Sequence, residues 1–186
     1  MIPLTKLKKD VQFNQDLTKV VDVMKGIAAA KFHMLEKRLA LFEQYFKVAG
    51  EFLTVLDTSR AHHPFVQVQT PVVGVIMVTS DAGFLGGLNA QVVSLGLSEG
   101  GPNALVSVIG ERGMYYLRDA KQNVTSFPGI QDDERQRMGL ALQVRDHVVQ
   151  QVLDGRCGRV IVIYPKPVSF TVQEMTMEPL LPCTAW

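Results

Sequence analysis

Proline is missing everywhere between Pro3 and Pro64, and only Gly26 and Gly50 loosen the same stretch. Nothing there forces a turn, so one helix can run through it. Cysteine is scarce too. Cys157 and Cys183 stand far apart without CxxC or Cys/His spacing, which argues against a zinc site and fits a reducing compartment. Net charge is only +1 at pH 7, so no global field recruits nucleic acid or anionic lipid, and any interface must be local. No apolar run approaches the ~20 residues of a spanning helix. The start, "MIPLTKLKKD", has no apolar core behind its charges and no Arg/Ser-rich amphipathic stretch, so no signal or transit peptide is expected. A soluble, intracellular chain that could sit on a membrane complex is the expectation.

What is present begins with periodicity. Alternating steps of three and four from Leu17 pass through Val20, Met24, Ile27, Lys31, Met34, Arg38, Leu41, Tyr45, Val48, Phe52 and Val55. Only Lys31 and Arg38 interrupt the apolar row. A neighbouring row through Val21, Ala28, Leu35, Phe42, Ala49 and Leu56 is equally apolar, so the stripe exceeds a two-stranded seam. The reading is a long coiled-coil helix over 1–57, roughly 70 Å or more at helical rise, then a linker at 58–71. His62 and His63 in that linker have no Cys or carboxylate at ligand spacing.

From 72 to 186 the rhythm becomes strand–turn–helix. "VVGVIMV" (72–78), "NALVSVIG" (103–110), "NVTSF" (123–127) and "RVIVIY" (159–164) read as buried strands, with 168–182 as a fifth extended segment. Helices alternate with them, including 132–155, which has acids in its first turn and Gly155 past its end. The fold class is α/β: a long N-terminal coiled-coil helix, then a doubly wound, mostly parallel, Rossmann-like sheet domain.

The turn "SDAGFLGGLN" invites a phosphate-binding reading. Yet it lacks the GK[ST] of a Walker loop and the GxGxxG spacing, and no lysine or arginine follows until Arg112. Gly83, Gly86 and Gly87 read instead as a structural turn that permits positive φ and close backbone approach, with Asn89 able to cap the following helix. Ser80 has no GxSxG elbow. Asp132, Asp133 and Glu134 suit a helix dipole better than a metal, and Arg135, Arg137 and Arg145 a solvated helix face. No catalytic, cofactor or metal residue is expected.

The motifs line up in order with one family. "LTKVVDVMKGIAAAKF" (17–32) resembles the shaft helix of the gamma subunit of rotary F-type ATP synthases, close to TxKITxAMxMVAAAKL. "SDAGFLGGLN" (80–89) is similar to its SDRGLCGGLN, "GERGMYYLRDA" to its GxKGxxYF, and "IYPKPVSFTVQEMTMEPLLP" to its YNKFxSxxxQxPxxExLLP. The resemblance implies a non-catalytic central stalk that couples a membrane ring, driven by protons or sodium, to a catalytic head. The implied partners are the alpha and beta subunits, the epsilon subunit and the ion-driven ring. Met24, Lys25 and Lys31 would run beside the catalytic subunits, with the chain peripheral to the cytoplasmic face of a bacterial inner membrane. Ala82 and Leu85 depart from the family's Arg and Cys, and Pro165 and Pro167 from its Asn and Phe. The family's long C-terminal helix has no counterpart in these residues. A small-ligand or nucleotide-binding α/β enzyme with a helical dimerisation arm, and a plain coiled-coil scaffold, are the competing readings.

Overall fold

A computed structural model describes residues 3–55, 62–83, 85–169 and 171–183. Two compact units divide the chain, Met1–Glu51 and Phe52–Trp186.

The first unit is one helix, α1 (Leu4–Val55). Pro3 opens it, its carbonyl accepting from the N–H groups of Lys6 and Leu7 at 2.9 and 3.2 Å. Local pairs such as Lys19–Asp16 (3.1 Å) and His33–Glu36 (3.0 Å) line its polar side. Such exposed pairs are worth little each. The apolar row stays exposed, with Leu17 at 50% and Tyr45 at 74%. Residues 56–61, which include the first four residues of the expected linker, lie outside the described residues; His62 to Pro71 carries no helix or strand.

The second unit is a five-stranded sheet in the order β3-β2-β1-β4-β5. Its strands are β1 (Val73–Val78), β2 (Leu105–Ile109), β3 (Asn123–Phe127), β4 (Arg159–Pro167) and β5 (Gln173–Leu181). Three pairings are parallel, and β5 joins β4 antiparallel. The helices are α2 (Leu88–Gly100), α3 (Glu111–Tyr116) and α4 (Glu134–Leu153). The doubly wound expectation is met.

Alternation along the strands sorts the core into two faces. Val75, Met77, Val106, Val108, Ile161 and Ile163 face one cluster with Val92 and Val93 of α2. Gly96 lets α2 settle directly on the Met77 side chain. The opposite face sets Ile76, Ile109 and Val160 against Leu140, Val144, Val148 and Val152, spaced every fourth residue along α4. Asp133 caps α4, its side chain accepting from the Gln136 N–H at 2.9 Å.

Pro165 and Pro167 do not end β4. Its pairing with β1 stops at Ile163, but pairing with β5 continues to Pro167↔Gln173. The prolines thus fall where β4 has only one neighbour, so a missing N–H need not break a central ladder.

Candidate functional site

Three features of the two units are candidates for function: the Gly-rich turn after β1, the exposed rows of α1 and an apolar groove beside α4.

The Gly-rich turn follows β1. Thr79 closes the strand with a buried hydroxyl that donates to the Ile109 carbonyl at 2.6 Å and accepts from the Gly113 N–H at 3.0 Å. The Asp81 carboxylate accepts from the Glu111 N–H at 2.9 Å, and the Ser80 carbonyl accepts from the Arg112 N–H at 3.0 Å. The turn therefore anchors the start of α3. Gly110, at φ +100°, lies so close to Thr79 that a Cβ there would meet its carbonyl oxygen at 2.5 Å.

Of the three turn glycines, Gly86 takes a positive φ (+56°), whereas Gly87 sits at φ −85° as the N-cap of α2. Asn89 does not cap that helix, contrary to the sequence expectation. It lies inside α2 and reaches back to Ser80, accepting from its N–H at 3.1 Å and donating to its hydroxyl at 3.0 Å. A buried amide satisfies strand and helix together this way, which a solvent-facing cap could not do.

A cation does reach the turn. Arg112, from α3, lays its guanidinium against Gly83, where an added Cβ would stand 3.2 Å from Nη2. Gly83, Leu85, Gly86, Asn89, Arg112 and Tyr116 line a shallow cavity of about 320 Å³. Sequence distance hid this arginine. Acyl chemistry at Ser80 finds no base among the described residues: its hydroxyl donates to the Ala82 carbonyl at 2.7 Å and otherwise meets Asn89. His147 is occupied on α4, 2.9 Å from the Gln151 amide. Among the described residues no three His, Cys, Asp or Glu side chains converge to hold a metal. Cys157 and Cys183 are free thiols, and burial pushes the Cys157 thiol up from its ordinary range.

The second feature is α1. Met24, Lys25 and Lys31 all project from it exposed, Met24 at 65%. Met24 and Lys31 are two turns apart on one face, and Lys25 stands about 100° round from Met24.

The third was not legible in the sequence. A groove of about 620 Å³ opens between α4 and the sheet, lined by Ile76, Leu140, Val144, Val160 and Leu181 with Phe65. Arg137 and Arg145 also border it. Arg137 donates to the carbonyls of Gln131 and Asp132 at 3.1 and 2.6 Å, and Arg145 pairs with Asp146 at 2.6 Å. The segments entering and leaving the sheet meet here, since the Cys183 N–H donates to the Phe65 carbonyl at 2.7 Å. Apolar residues from α4, the sheet and both connecting segments converge only after folding.

Comparison with known proteins places these features in a family. The family model described as ATP synthase matches residues 4–186. The ATP synthase gamma chain of Opitutus terrae is 27% identical over 177 residues, covering 94% of this chain and 58% of that one. The gamma chain of Methylobacillus flagellatus is 26% identical over 191 residues, covering 95% and 64%. The chain thus spans about three fifths of the length of these curated relatives.

Among solved structures, a chain of the Tetrahymena thermophila mitochondrial ATP synthase central stalk and c-ring shares the fold. Its TM-score is 0.64 at 19% identity, over 88% of this chain and 72% of that chain. A chain of the Euglena gracilis mitochondrial ATP synthase gives 0.57 at 14% identity, over 94% and 55%. With its long helix, its 3-2-1-4-5 sheet and a match to the family model over nearly every residue, the chain belongs to the ATP synthase family.

Proposed function

We propose that the chain serves as shaft helix and α/β domain of a gamma-type central stalk, transmitting rotation between an ion-driven membrane ring and a catalytic head. The observation that carries this reading is α1. A helix of 52 residues with two adjoining exposed apolar rows is built to be surrounded by other protein along its length. The chain contributes packing and torque transfer, and no catalytic group.

In this reading residues 1–57 are the shaft, 58–71 the connector and 72–186 the α/β domain. Met24, Lys25 and Lys31 face the alpha and beta subunits of the head. The turn at Gly83, Gly86, Gly87 and Asn89 shapes the base, toward the epsilon subunit and the ring. The apolar rows of α1, and separately the groove beside α4, are each surfaces on which a further helix packs. The subunit is peripheral to its membrane, at the cytoplasmic face in a bacterium. No helix among the described residues is long and apolar enough to cross one.

Arg112 beside Gly83 favours one competing reading, a site for a nucleotide's phosphates. Calorimetry with ATP separates the two. Micromolar binding lost on Arg112→Ala supports the enzyme, and no heat supports a structural turn. The stalk reading itself is tested by co-expression with alpha and beta subunits of a relative. Capture of the head, lost when Lys25→Glu and Lys31→Glu are combined, is the expected result. A chain that never associates with the head ends the reading.

A further inference from the structure

We draw no further inference here: the strongest candidate, the apolar groove of about 620 Å³ between α4 and the sheet, belongs to the stalk reading already proposed, and nothing in the structure shows what else covers it.

Discussion

Asn89 holds Ser80 by two hydrogen bonds, accepting its backbone N–H at 3.1 Å and donating to its hydroxyl at 3.0 Å. The residues stand nine apart, one just past β1 and the other in the first turn of α2, so the pair locks strand to helix across the Gly-rich turn. Asn89 is only 8% exposed, and losing its side chain strands polar groups of Ser80. Asn89→Ala should therefore cost about 1–3 kcal/mol of stability. Ser80→Ala leaves the backbone bond intact and should cost less, about 0.5–1.5 kcal/mol. Chemical denaturation of both variants checks the order. A larger loss for Ser80→Ala would mean that the hydroxyl, through Ala82, matters more than the backbone clamp.

Two glycines should respond in opposite directions to alanine. At Gly113 a Cβ would meet Thr79 Oγ1 and Val108 Cγ2, each at 2.5 Å, where neither buried neighbour has room to move. Gly113→Ala should destabilise by about 1–3 kcal/mol through overpacking. Gly139 lies within α4 with nothing within 4 Å of its added Cβ. Gly139→Ala should stabilise by about 1 kcal/mol, the ordinary helix preference for alanine. Thermal melts suffice, and a stabilised Gly113→Ala would show that α3 shifts freely on β2.

Tyr164 on β4 donates its hydroxyl to Glu178 of β5 at 2.8 Å. Burial first, then the hydrogen bond and charge of Glu178, push its pKa up to about 12. In an unfolded chain tyrosine titrates near 10. Between roughly pH 10 and 12 the unfolded chain gives up a proton that the fold retains, so this group's contribution falls as pH rises. Ultraviolet absorbance titration should show a tyrosine ionising near 12, and Glu178→Gln should bring it down toward the ordinary tyrosine range. If the late tyrosine persists unchanged in Glu178→Gln, the carboxylate has no hold on it.

Much of this architecture was legible because it rests on local pattern. The β-branched runs at 72–78 and 159–164 could only be buried strands, and the proline-free apolar rows could only be a long helix. Tertiary contacts were not legible. Asn89 carries the composition of a helix cap, but whether its amide turns toward its own helix or toward Ser80 depends on the strand beside it. Arg112 is remote from Gly83 in sequence and comes to rest against it only because α3 starts where Ser80 and Asp81 receive its N–H groups. The sequence reading ends the fourth strand at Tyr164, yet β4 runs on to Pro167, outruns β1 and keeps β5 as its single neighbour. The groove depends on Phe65 and Cys183 meeting beside the edge strand, a closure no periodicity encodes.

That groove yields the last prediction. Its walls are almost wholly apolar side chains of α4, β1, β4 and the connecting segments, and open apolar concavities of this kind bind other molecules. An environment-sensitive dye such as anilinonaphthalene sulfonate should therefore bind the folded chain, some of it here and some along α1. Ala141 borders the groove on α4. Ala141→Trp places an indole over the opening, so the variant should lose the groove's share of the dye fluorescence and keep the share on α1. The melting temperature should hold or rise, because the indole covers apolar surface without displacing packed neighbours. An added amphipathic helix that docks in the groove should compete with the dye in the wild type and fail to bind Ala141→Trp at this position. Dye binding unchanged by Ala141→Trp would place all of it on α1, and the groove would then lose its standing as a packing surface for a further helix.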